Sequence, residues 1–78
     1  MRQFTVQFRS LRDVQDFVAL AANLPHKILV GNGPFQVHAT SFMGIFALNC
    51  RKPQKVSVDC SEEEYQQMLK LFERFLLT

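Results

Sequence analysis

Two stretches of strict alternation lie near the two ends of this chain, and behind each of them the apolar spacing changes from two residues to three or four. Phe4, Val6 and Phe8 alternate with Gln3, Thr5 and Gln7, and Val56, Val58 and Cys60 alternate with Lys55, Ser57 and Asp59. A period of two puts all the apolar side chains of a strand on one face, so the pattern predicts strands over 2–8 and 54–60, each burying one side. After the first strand, Leu11, Val14, Phe17, Val18 and Ala21 recur at helical spacing, and Ser10 stands three residues before Asp13 in the arrangement of a helix start. A helix over 11–22 follows. Asn23 is expected to end it in the left-handed conformation, and Pro25 prevents it from resuming.

The middle of the chain has its own punctuation. Asn32-Gly33 is a two-residue hairpin signal, because a type I′ turn needs positive φ at both central positions. Folding about it pairs Val30 with Phe35 and Ile28 with Val37, which leaves Leu29 opposite Gln36 and Lys27 opposite His38. Ser41 then caps a short helix over 42–48, ended by Asn49, whose interior Gly44 costs about 1 kcal/mol relative to alanine. Ser61-Glu62-Glu63-Glu64 is a capping box with acids at the positive helix end, and Tyr65, Met68, Leu69, Phe72 and Leu76 make the buried stripe of a long final helix.

The resulting order, βαββαβα, fits an α+β open-faced β-sandwich: a four-stranded antiparallel sheet with three helices on one face, in a single domain over 1–78. Composition agrees, since 47% of the 78 residues are hydrophobic and 21% charged, which suits a packed core and not a disordered chain. A net charge of +2 is too small for a nucleic-acid footprint. The outward sheet positions read Gln3, Thr5, Gln7, Lys27, Leu29, Gln36, His38, Lys55, Ser57 and Asp59, with no aromatic ring to stack an RNA base. The stretch from Ile28 to Cys50 lacks Asp, Glu, Lys and Arg but is too polar to cross a membrane, and the N-terminus has no apolar signal region. We therefore expect a cytoplasmic, monomeric protein that binds neither nucleic acid nor membrane.

His26, His38, Cys50 and Cys60 are metal-ligating types, but their spacings of 12, 12 and 10 contain no close pair, so neither a structural metal nor a cofactor is expected. Cys50 and Cys60 should be two reduced thiols, not bonded to each other, because strand residues hold them apart by more than the roughly 7 Å that a disulfide allows.

Two stretches resemble the HPr family, the small phosphocarriers of the bacterial sugar phosphotransferase system. Ser41-Phe42-Met43-Gly44-Ile45-Phe46-Ala47-Leu48 is similar to the family's Ser-Ile-Met-Gly-Val-Met-Ser-Leu segment around its regulatory serine, and Phe17-Val18-Ala19-Leu20-Ala21-Ala22-Asn23-Leu24, running on to Ile28 and Val30, is similar to its first helix and second strand. The resemblance implies the same fold and the same partners: the upstream enzyme of the system, a kinase acting on the serine, and sugar permease subunits. It also implies a histidine in a Gly-Leu-His-x-Arg-Pro motif at the entry to the first helix. Here that position holds Ser10 when counted back from Phe17-Val18, or Arg12 when aligned on Leu11, and no histidine precedes His26. A phosphoserine is a stable ester and not the high-energy phosphoramidate a relay needs, so the chemistry points away from a catalytic residue and from an enzyme.

The resemblance makes Ser41 a candidate for regulatory phosphorylation beside its plain role as a cap, and it makes Phe42, Met43 and Phe46, with Arg12, a candidate surface for protein partners. Arg9 and Arg12 flank Ser10 as either an anion-holding pair or solvated charges. The leading reading is a non-catalytic HPr-like protein-binding module regulating carbohydrate metabolism, docking through the 41–46 helix onto phosphotransferase-system enzymes, an HPr kinase or a transcriptional regulator. The alternative is a phosphocarrier using a non-histidine acceptor.

Overall fold

The computed structural model describes residues 1–48 and 52–77, and it holds one sheet. In chain order the elements are β1 (Arg2–Val6), α1 (Leu11–Ala22), β2 (Ile28–Val30), β3 (Val37–His38), α2 (Phe42–Ala47), β4 (Gln54–Val58) and α3 (Glu62–Leu71), followed by a 3-10 turn at Glu73–Phe75. The strands lie in the order β1-β4-β2-β3, all antiparallel. The βαββαβα open-faced sandwich is therefore the fold.

Register explains the two faces. Phe4, Val56, Val30 and Val37 face one another across the four strands, and the next row, Gln3, Ser57, Leu29 and His38, points the other way. The first row joins Val6, Phe8, Val14, Phe17, Ile45, Met68, Phe72 and Phe75 in one buried core. The second row is the open face, where the Gln3 amide donates to Ser57 Oγ at 3.3 Å and the central Ser57 is covered by its neighbours.

The Asn32-Gly33 hairpin is corrected by the structure. Val30 pairs with Val37, not with Phe35, so residues 31–36 form a longer loop and Phe35 is 76% exposed. Pro34 supplies the reason: it stands where a two-residue turn needs an N–H donor, and proline has none. Because the slip is two residues, the inward face of Val37 survives it. Gly31 and Gly33 have φ of +140° and +61°, whereas Asn32 has an ordinary negative φ. The chain folds back so closely at Gly31 that a Cβ there would lie 2.0 Å from the Phe35 carbonyl oxygen.

Other boundaries move for similar local reasons. Asn23 is right-handed, with φ −88°, and its side-chain amide instead donates to the Ala19 carbonyl at 3.2 Å. The final helix stops at Leu71, and the 3-10 turn then buries Phe75, which the predicted stripe does not include, and leads Leu76 into a bridge with Val6. The Gln7 amide donates to the Phe75 carbonyl at 2.8 Å and the Leu77 amide to the Thr5 carbonyl at 3.0 Å, so the C-terminal segment covers the outer edge of β1. Regular pairing ends at Val6 and Val58, short of the predicted 8 and 60. Leu11, placed in the buried helical stripe by its spacing, is 51% exposed at the first position of α1. Asn49 and Cys50, with the helix terminator and thiol pairing read there, lie outside the described residues; Cys60 is an unbonded thiol, and burial pushes its pKa up.

The two turn glycines should respond differently to substitution. Gly33→Ala meets open space and carries only the left-handed backbone penalty of about 1 kcal/mol, whereas Gly31→Ala adds a backbone clash and should cost about 3 kcal/mol. Urea denaturation of both variants measures this, and equal losses would contradict the observed loop.

Candidate functional site

The entry to α1 is built by its own polar groups. Ser10 has extended backbone, φ −157° and ψ 167°, and its hydroxyl oxygen accepts from the Asp13 amide at 3.2 Å. That is the N-cap that the Ser10–Asp13 spacing predicts. The Asp13 carboxylate reaches back to accept from the Arg9 amide at 2.9 Å and also accepts from Arg74 at 2.7 Å. The other arm of Arg74 donates to Asp16 at 2.9 Å, and its guanidinium lies 4.7 Å over the Phe75 ring. The C-terminal turn is thereby clamped to the first turns of α1.

This network sets the charges at the helix entry. The Arg9 amide, and then Arg74, hold the Asp13 carboxyl below its ordinary value against an opposing desolvation, while the two carboxylates raise the Arg74 pKa. Arg12 reaches Asp16 only at 3.8 Å, with its side chain 82% exposed, and so is a solvated charge beside Ser10. Sequence reading missed Arg74, because a partner 58 positions away leaves no signal in local spacing.

The second element of the site is α2. Ser41 is exposed and caps the helix, its hydroxyl oxygen accepting from the Gly44 amide at 3.2 Å. Ile45 is fully buried and Leu48 packs against the core. Gly44 now has a reason: a Cβ there would lie 3.1 Å from Val37 Cβ and 2.8 Å from Ser41 Oγ, so its absence lets α2 lie close on β3. On the outer side Met43 is 70% and Phe46 55% exposed. Phe42 departs from the expected patch. It is half-buried and packs against the core, while its ring stacks on Phe46 with centroids 6.2 Å apart. Helices α1 and α2 pack against each other. Among the described residues no cluster of three metal-ligating side chains occurs, and no helix is long and apolar enough to cross a membrane.

A second polar group that local spacing did not indicate is His26, whose Nε2 lies 3.1 Å from the Glu64 carboxylate. Glu64 also accepts from the Ser61 amide at 3.0 Å and completes the predicted capping box, and these bonds hold its carboxyl below its ordinary value.

Comparison with known proteins fits this geometry. The family model described as "PTS HPr component phosphorylation site" matches residues 10–77, beginning at Ser10. A crystal structure titled "HPr-C-His from Thermoanaerobacter tengcongensis" superposes with a TM-score of 0.71 at 26% identity, covering 94% of this chain and 92% of that one. The search of curated proteins gave no match. The chain belongs to the HPr family of the phosphotransferase system.

Asp13 gives a pH test of the clamp. Its folded pKa is depressed, so its contribution to stability is present above the unfolded carboxylate value and is lost as pH falls through the folded one. Asp13→Asn should therefore be clearly less stable than wild type in urea at pH 7, and the difference should shrink steadily below about pH 4. A difference that is independent of pH would contradict the ionised clamp.

Proposed function

We propose that this protein is a non-catalytic HPr-family module that binds protein partners through the outer face of α2, with a regulatory role in the phosphotransferase system or carbohydrate metabolism. The observation that carries the reading is the split of α2 into a fully buried anchor, Ile45, and an exposed pair, Met43 and Phe46. A two-turn helix held close to the sheet by Gly44 has a fixed rotation, and apolar side chains that such a rotation leaves in water are suited to a partner's pocket. Membership of a family whose proteins interact with other proteins supports the same surface.

Ser10, where the resemblance places the transfer histidine, has its hydroxyl committed to the helix cap, and its Asp13 neighbour is committed to Arg9 and Arg74. A serine ester there does not return its phosphate to a downstream acceptor, which favours binding over relay and a chain that is not itself an enzyme. Exposed Ser41 is the position for regulatory control of the surface and Arg12 its charged rim.

The reading predicts a specific pattern of capture. Tagged wild type and Lys55→Glu, a change on the open sheet face, should retain the same partner from a lysate of the source cell, whereas Met43→Asp and Phe46→Asp should lose it with urea midpoints unchanged. Retention by all four proteins, or equal loss on Lys55→Glu, would sink the α2 assignment.

A further inference from the structure

Three methionines sit in very different surroundings. Met68 of α3 is 3% exposed in the core, Met1 is 80% exposed ahead of β1, and Met43 is 70% exposed on the outer side of α2. A thioether reacts with peroxides as it stands, whereas a cysteine reacts as its thiolate. Among the described residues the competing thiol is Cys60, which is half-buried, and burial pushes its pKa up, so little of it is ionised near neutral pH. A peroxide reaching the folded chain from solvent therefore meets the sulfur of Met43 before that of Met68 or Cys60.

The fixed rotation of α2 decides what oxidation at Met43 changes. Ile45 is fully buried and Gly44 lies against Val37, where a Cβ would come within 3.1 Å, so the helix has no room to turn its outer side inward. A sulfoxide oxygen added at Met43 stays in water and leaves the core packing alone. It does change the outer side itself. One helical turn from exposed Phe46 it sets a strongly polar acceptor, within a stretch that carries no Asp, Glu, Lys or Arg from Ile28 to Cys50.

We infer that Met43 is an oxidation site through which hydrogen peroxide controls the outer face of α2, its conversion to the sulfoxide withdrawing that face from apolar partners without unfolding the chain. The consequence, though not the site, rests on the α2 docking reading. The sulfur attacks one peroxide oxygen, the O–O bond breaks as the S–O bond forms, and the departing hydroxide takes a proton and leaves as water. The thioether is oxidised to the sulfoxide and the peroxide is reduced. A methionine sulfoxide reductase, drawing electrons from thiols that become a disulfide, removes the oxygen as water, so the change is reversible. Burying the sulfoxide in a partner's apolar pocket leaves a polar group without a hydrogen bond, which corresponds to about a tenfold loss of affinity.

The experiment treats the tagged full chain, carrying Met1→Leu so that Met43 is the exposed methionine that remains, with hydrogen peroxide and maps its peptides by mass. Met43 should gain one oxygen while Met68 stays unmodified, and the urea midpoint should not move. Capture of the partner that the unreacted chain retains from a lysate of the source cell should fall about tenfold. Capture should return after treatment with methionine sulfoxide reductase and its thiol, and not with the thiol alone, which reverses only disulfide formation. Oxidation of Met68 as fast as Met43, a lowered urea midpoint, undiminished capture by the oxidised chain, or recovery with the thiol alone would each overturn the proposal. An unreacted chain that captures nothing would overturn the α2 reading and with it the consequence drawn here; the unreacted arm tells that failure apart from the others.

Discussion

Five phenylalanines from four segments meet in one place, and the arrangement of everything else depends on that meeting. Phe17 of α1 lies 4.8 Å from Phe72, 5.2 Å from Phe8 and 5.7 Å from Phe75 between ring centroids, and Phe4 of β1 stacks on Phe72 at 6.0 Å. Tilted and edge-on rings at such distances add attraction beyond the area they bury, of the order of 1 kcal/mol per pair. Because Phe72 and Phe75 come from the end of the chain and Phe4 and Phe8 from its start, the core closes only when both termini are in place. The bridge of Leu76 to Val6 and the hold of Arg74 on α1 follow from that closure.

The two helices α1 and α2 use their polar and apolar groups differently. At α1 the polar groups are turned inward on one another: Ser10, Asp13, Asp16 and Arg74 are mutually satisfied, which makes the entry a rigid structural corner. At α2, by contrast, one buried isoleucine and one glycine fix the helix against β3, and Met43 and Phe46 stay exposed. A family scaffold that carries chemistry at the first place and contacts at the second has here, in our proposal, kept the contacts and given the first place a load of hydrogen bonds instead.

How much of this the sequence carried depended on the range of each interaction. Helix α1 ends where its periodicity says, because Ser10, Asp13 and the apolar spacing all act within one or two turns. The Ser61 capping box is read correctly for the same reason. The two-residue hairpin does not form because Pro34 lacks the N–H that an Asn-Gly turn needs, and α3 ends early because the chain tightens into the 3-10 turn at Glu73–Phe75, where Phe75 packs on Phe8 and Phe17 of other segments. Of the candidate surface on α2, Met43 and Phe46 are exposed and Phe42 is half-buried, because the rotation of a two-turn helix is set by what it packs on and not by its own spacing. The Arg74 clamp and the His26–Glu64 contact join residues far apart in sequence and left no local mark.

The central claim, that the α1 entry is a structural corner and not a phosphoryl relay, is tested most directly by incubating the purified protein with phosphoenolpyruvate and the first enzyme of the phosphotransferase system and measuring the stability of any protein-bound phosphate to acid and base. The account predicts no acid-labile phosphate on this chain. Stoichiometric phosphate that is lost in acid but survives base, the signature of a phosphorylated imidazole, would contradict it.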